Sequence, residues 1–203
     1  MLLHVWVIGV CGVVVGAFVV QFVGSELPCP LCMLQRMAML LAAMGPMYII
    51  RRTAIAGAES TTDFSTGFGM SILASVLGLA ISGRQILLHI LPGDPGYGGA
   101  VFGFHLYTWA FIVFIVILLV SGLTLAAGSV MVVGPRIGRP DVWSRITGWV
   151  LGAVIAANAV SVFFESGFNW FLPDNPTNYE LIKEFLEFLE TRSGADRPVQ
   201  KAN

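Results

Sequence analysis

A chain of 203 residues that is 56% hydrophobic and only 11% charged, with a mean hydropathy of +0.81, lacks the polar surface to coat a water-soluble globule. The same composition excludes a disordered chain, and a net charge of −1 gives no electrostatic basis for binding nucleic acid. What remains is an all-α integral membrane protein. Residues 2–25, 37–50, 64–83, 95–135 and 146–164 contain no Asp, Glu, Lys or Arg. A spanning helix needs about 20 apolar residues, so a bundle of five transmembrane helices is predicted, near 2–23, 31–50, 67–91, 105–127 and 146–165. The first lacks a basic leader and its apolar run exceeds the ~7–15 residues of a signal-peptide core, so it is expected to be retained. The run 95–135 supplies one span, because Pro95, Gly96, Gly98, Gly99 and Gly103 break its start.

Loop charges set the orientation. Arg51 and Arg52 follow the second span, and Arg136, Arg139 and Arg145 lie between the fourth and fifth, whereas 24–32 and 92–104 hold no Lys or Arg. The positive-inside rule then puts the N-terminus in the cytoplasm and the tail outside. Trp143 and Trp149 fit an inner interfacial belt, and Tyr107, Trp109 and Trp170 an outer one. The bundle is expected over 1–165 and a polar tail over 166–203. Within the tail, Thr177 and Glu180 form a capping box ahead of an amphipathic helix near 178–191, whose stripe is Leu181, Ile182, Phe185, Leu186 and Leu189. That helix is expected to lie on the membrane surface or against the bundle, or to cover an outward-facing site, with disorder from Ser193 onward.

Of three cysteines, Cys11 sits mid-span and reads as core packing. Cys29 and Cys32 lie in Pro28-Cys29-Pro30-Leu31-Cys32, where the first outward segment meets the second helix. Two sulfurs at i and i+3 on a first helical turn can close a disulfide, and a helix N-terminus stabilises a thiolate. Proline suits that position, where an N–H would otherwise lack a partner. Arg36 follows on the same helical face, about 6 Å in from the helix start. A cation inside a span is a functional-site hypothesis by default, and here it stands beside a thiol whose ionisation it favours. Gln35 adds a donor and an acceptor. At the same end of the third span lie Arg84, Gln85 and His89, the last two spaced i, i+4.

The segment Pro28-Cys29-Pro30-Leu31-Cys32-Met33-Leu34-Gln35-Arg36 resembles the hallmark of the disulfide bond formation protein B (DsbB) family, and Gly83-Arg84-Gln85 is similar to that family too. The resemblance implies a bacterial inner-membrane enzyme with a four-helix core, to which this chain adds a fifth, C-terminal span. It implies a thiol:quinone oxidoreductase that reoxidises a periplasmic thioredoxin-fold thiol oxidase and passes electrons to the membrane quinone pool, ubiquinone or menaquinone. Carried over residue by residue, Cys29 and Cys32 are the quinone-coupled catalytic pair, with Cys32 nearer the quinone. Arg36 is the quinone contact, and Gln35, His89 and Arg84 join it around the cofactor. One departure matters: family members carry a second cysteine pair in the loop after the third span, whereas 92–104 has none. A shortened relay is therefore expected, in which the partner attacks Cys29 directly. The rival readings are a metal or haem electron carrier using Cys29, Cys32, His89 and His105, and a degenerate, non-catalytic relative. No metal ligand is expected among the site residues of the main reading.

Overall fold

The computed structural model describes residues 1–56, 60–127, 142–169, 176 and 178–195, the side chains of 193–195 excepted. Arg136, Arg139, Trp170 and Thr177 named above lie outside the described residues, as does the chain beyond Ala195. Among the described residues five helices are long and apolar enough to cross a membrane: α1 (Leu2–Val23), α2 (Pro30–Ala56), α3 (Thr61–Leu88), α4 (Leu106–Ala126) and α5 (Val142–Ser166). A sixth, α6 (Glu180–Ala195), follows. The protein is an all-α membrane bundle, and the number and order of spans match the reading from uncharged stretches.

The boundaries differ where helices continue past the apolar segment. Helix α2 runs through Arg51 and Arg52, and α3 starts at Thr61, with Asp63 in its first turn. Absence of charge marks only the part of a helix that meets hydrocarbon. These extra turns are polar because they pair with each other: Asp63 accepts from Arg52 Nε at 3.1 Å and from Tyr48 Oη at 3.0 Å. At its other end α3 stops at Leu88, with His89 already beyond the last turn. The Gly-rich approach to α4 also holds a small hairpin, with Ala100 opposite His105 and Val101 opposite Phe104. Its two turn residues, Phe102 and Gly103, both have positive φ, at 51° and 82°. That backbone is what a two-residue hairpin demands.

Helix α2 is the axis of the bundle. Of its most apolar stretch 72% is buried inside the protein, against 22–33% for the other four spans, which therefore turn most of their surface to lipid. The core is built around Ala38, Ala42, Ala43, Met47 and Ile50 of α2, with Val7, Val10, Cys11 and Val14 of α1 on one side. Ala74 of α3, Phe114 of α4 and Leu151 of α5 complete it. Cys11 packs here, as its position mid-span suggests. Lipid tails offer no hydrophobic drive for helices to associate, so close backbone approach and internal hydrogen bonds carry that role. Gly45 and Gly67 meet at the α2–α3 crossing, and Ser71 Oγ donates to the Ala42 carbonyl at 2.8 Å. Helices α2 and α3 run antiparallel, pairing Arg52 with Asp63 at one end and Gln35 with Gln85 at the other. Helices α1 and α5 run parallel, since His4 meets Thr147 while Gln21 meets Ser161. One end of the bundle thus gathers the C-termini of α1, α3 and α5 with the N-termini of α2 and α4. The cysteine pair lies at that end.

Candidate functional site

Pro30 is the first residue of α2, which makes Cys29 its N-cap and Cys32 its third residue. The Cys29 carbonyl accepts the first helical hydrogen bond, from Met33 N–H at 3.1 Å. Its sulfur accepts from the Cys32 backbone N–H at 3.2 Å, the position a serine or aspartate oxygen takes in an ordinary cap. The cap thus fixes Cys29 Sγ over the first turn, and the sulfurs lie 2.7 Å apart. A disulfide needs about 2.05 Å, so small torsions close it. Hydrogen bonding to Cys32, and then burial, push the Cys29 thiol above its ordinary range.

Gln85, only 1% exposed, reaches across from α3. Its Nε2 donates to Cys29 Sγ at 3.2 Å and Cys32 Sγ at 3.5 Å, while its carbonyl accepts from Gln35 Nε2 at 2.8 Å. The Gln35 contact orients the amide so that its NH₂ faces the sulfurs. Beyond Gln35, Arg36 is 7% exposed. Its Nη1 donates to Gln21 Oε1 at 2.6 Å and its Nη2 to the Ala17 carbonyl at 3.3 Å, and its guanidinium lies 5.1 Å from the centre of the Phe18 ring.

The two cysteines face different spaces. Cys32, Gln35 and Arg36 line a cavity of about 280 Å³ whose remaining wall is chiefly apolar, with Val14, Val20, Leu27, Met39 and Ala110. Cys29 lines a second cleft of about 500 Å³ with Pro30, Arg84, Gln85 and His89. The seven residues that the sequence puts at one depth are therefore divided between two cavities, with the cysteine pair as the partition. Arg84 and His89 stand on the Cys29 side, away from Arg36. Tyr97 borders both cavities, and its hydroxyl donates to the Leu27 carbonyl at 2.6 Å. Burial, and then the nearby cysteines, push that phenol above its ordinary range. The Gly99 N–H donates to the Glu26 carboxylate at 2.9 and 3.0 Å, so the 92–104 loop is tied at two points to the segment that carries Cys29.

The histidines have local partners. His89 Nδ1 lies 3.1 Å from Asp94 Oδ1, and His105 Nδ1 lies 3.1 Å from the Gly98 carbonyl. The Gly96 N–H, and then His89, hold the Asp94 carboxyl below the usual range. Tyr107 stacks on both imidazoles, with ring centroids 5.8 Å from His89 and 5.2 Å from His105. Among the described residues no three His, Cys, Asp or Glu side chains are grouped to hold a metal ion.

Sequence reasoning missed the polar cluster behind Arg36. Gln21 Nε2 donates to Ser161 Oγ at 3.1 Å and to Glu165 Oε1. The signal was present: Asn158, Ser161 and Glu165 recur at i, i+3 and i+7 on one face of the last span, and all three are buried. Tyr97 and Glu26 were also unread, because a loop-to-loop tie has no periodicity.

A sequence profile of the family described as disulfide bond formation protein DsbB matches residues 1–98. Disulfide bond formation protein B of Chromohalobacter salexigens is 38% identical over 85 residues, 41% of this chain and 47% of that protein. Disulfide bond formation protein B 1 of Pseudomonas syringae pv. syringae is 38% identical over 79 residues, 39% of this chain and 43% of that protein. The match spans about half the length of these curated relatives. No solved structure matches the chain significantly. The matched segment, residues 1–98, carries Cys29, Cys32, Gln35, Arg36 and Gln85, and it is over this segment that the chain is similar to the DsbB family.

Proposed function

We propose that this chain is a membrane thiol:quinone oxidoreductase of disulfide bond formation, which reoxidises a periplasmic thioredoxin-fold thiol oxidase through a Cys29–Cys32 disulfide. The observation that carries the reading is the division of the pair, with Cys29 on one cavity and Cys32 on the other. That arrangement lets a thiol be exchanged on one side while electrons leave on the other. On the first side the partner's thiolate attacks Cys29 Sγ, the S–S bond breaks, and Cys32 leaves as a thiolate. The helix N-terminus and the Arg36 guanidinium stabilise that charge, and Gln85 Nε2 donates to it. The partner's second thiol then attacks its own sulfur in the mixed disulfide and releases Cys29, which takes up that thiol's proton. Two electrons have entered the pair, and the partner leaves as a disulfide.

On the second side the residues present fit a quinone ring. The cavity is apolar, near the lower limit of ~300 Å³ for small-molecule sites, and its polar end is Arg36. A guanidinium has five N–H donors, of which Gln21 and Ala17 accept two. A bound quinone supplies a two-electron, two-proton acceptor. Arg36 would hold the acceptor's carbonyl oxygen in the cavity that Cys32 also lines, and the apolar wall would exclude water; the pair would return to the disulfide by giving up two electrons and the Cys29 proton, with a second proton drawn from solvent. Arg51, Arg52 and Arg145 lie at the far end of the bundle, which supports a cytoplasmic N-terminus and a periplasmic site.

Two measurements test the reading. The Cys32→Ala variant leaves Cys29 without a resolving thiol, so a mixed disulfide between Cys29 and a soluble thioredoxin-fold protein is expected on gels without reductant, and Cys29→Ala abolishes it. Failure to trap any such adduct at Cys29 removes the partner assignment. Separately, reduced purified wild type should bleach an added soluble quinone, with both alanine variants at least tenfold slower, since each lacks half of the electron-pair donor. Equal rates in all three proteins exclude the cysteine pair as the donor.

A further inference from the structure

The last turn of helix α5, at the cysteine end of the bundle, carries Glu165, which is 2% exposed. One carboxylate oxygen accepts from Gln21 Nε2 and from Ser161 Oγ, the latter at 3.3 Å, while its Oε2 is buried with no hydrogen-bond partner. Gln21 is itself buried, and its carbonyl faces Arg36 Nη1 at 2.6 Å. The amide is polarised in one sense only: its NH₂ toward the carboxylate, its oxygen toward the guanidinium. The reverse orientation would set donor against donor at Arg36 and acceptor against acceptor at Glu165. A single side chain of α1 thereby joins a buried cation of α2 to a buried anion of α5. A charge at this depth persists only when compensated, and Glu165 is the buried carboxylate nearest in this chain of contacts. The other titratable groups around the pair are Cys32 of α2, Cys29 just before it, Tyr179 just before α6, and Tyr97 and Glu26, which line the cavity of Cys32 and Arg36, with Glu26 accepting from the Gly99 N–H. On the far side of Gln21, Lys183, Glu187 and Glu190 line an open cleft of about 740 Å³ beneath α6, where water screens them.

We propose that Glu165 is the buried counter-charge of Arg36 and, through Gln21, its positioning residue, so that the fifth span is a working part of the thiol site. The inference rests on the reading of Cys29–Cys32 as a redox pair, and it reaches beyond the segment that matches the family, which ends at residue 98. It has a direct consequence for that pair. When a dithiol reductant opens the disulfide and itself becomes a disulfide, two electrons enter, Cys29 takes up one of the reductant's two thiol protons, the other leaves to solvent, and Cys32 remains as a thiolate. The Glu165 carboxylate opposes that new negative charge while Arg36 favours it. Glu165 therefore holds the equilibrium toward the disulfide.

The test is the equilibrium of the purified full-length protein, in detergent and free of quinone, against dithiothreitol buffers of graded ratio, with reduced thiols counted by alkylation and mass. Glu165→Gln keeps the hydrogen bonds of the carboxylate and removes its charge. The equilibrium is expected to move roughly threefold or more toward the reduced pair, and Glu165→Asp, which keeps the charge, to stay near wild type. An unmoved equilibrium in E165Q overturns the proposal, because a merely structural role survives the isosteric change. If E165Q does not accumulate, the Arg36→Gln/Glu165→Gln double variant decides. Mutual compensation predicts that removing both charges restores the folded protein, and continued loss overturns it. A wild-type pair that never exchanges with dithiothreitol would instead sink the redox reading itself.

Discussion

Arg36→Met is expected to lower the rate at which the reduced protein bleaches a soluble quinone by on the order of 10²-fold, with substantial loss of thermal stability in detergent. Both effects have one origin. The guanidinium is buried, with Gln21 Oε1 and the Ala17 carbonyl as its acceptors and the Phe18 ring beside it. Methionine fills much of the same volume, but it strands a buried amide oxygen and leaves Glu165 without its compensating cation. Breaking one side of a buried charge pair costs about 3–5 kcal/mol. The rate falls because a preorganised cation facing developing negative charge is worth about 2.7–4 kcal/mol in a water-excluded site. Arg36→Lys separates the contributions. It retains a cation but not the planar fork that serves two acceptors at once, so its stability should recover more than its rate. Thermal unfolding followed beside the quinone assay reads both. A Met variant that keeps the wild-type rate removes Arg36 from the electron-transfer side of the site.

The sequence made the bundle legible because its signal is composition over whole spans. Stretches without Asp, Glu, Lys or Arg located five helices, and Arg51, Arg52 and Arg145 marked the end opposite the cysteines. The cysteine motif was legible for a different reason: Pro30, Cys32 and Arg36 act locally, within two turns of one helix. What the sequence did not display was which residues meet across helices. Arg84 and His89 share a depth with Arg36 yet face the other cavity, since depth fixes only one of three coordinates. Glu165 lies 129 positions from Arg36 in the chain, and only the parallel packing of α1 against α5 brings Gln21 between them. The turns of α2 beyond Ile50 and of α3 before Gly67 escaped for the converse reason. Their polar residues answer one another across the two helices, as Arg52 and Asp63 do, and hydropathy discards such pairs individually.

The largest packing effect is expected at the α2–α3 crossing, well away from the cysteines. A Cβ on Gly45 would stand 2.1 Å from the Gly67 carbonyl oxygen and 2.4 Å from Ser71 Oγ, and one on Gly67 would stand 2.4 Å from Ile49 Cγ1. The first obstacle is backbone on the facing helix, so no rotamer change relieves it and the helices must move apart. Overpacking of this kind costs about 1–3 kcal/mol, occasionally more, and the shift also lengthens the Ser71 bond to the Ala42 carbonyl. Gly45→Ala should therefore lower the thermal midpoint in detergent clearly, and Gly67→Ala should do so through the same crossing. The double variant should cost less than the sum, because one separation relieves both clashes. The displacement also reaches function. Gln35 lies ten residues from Gly45, about 15 Å along the helix, and it holds Gln85 over the two sulfurs from across the same interface. Splaying the helices draws the Gln85 amide away from Cys32, so Gly45→Ala should slow quinone bleaching with every residue of the site intact. Alanine at Gly69, where an added Cβ meets nothing within 4 Å, is the control and should leave both midpoint and rate near wild type. If G45A and G69A behave alike, the close crossing does not set the geometry of the cysteine end.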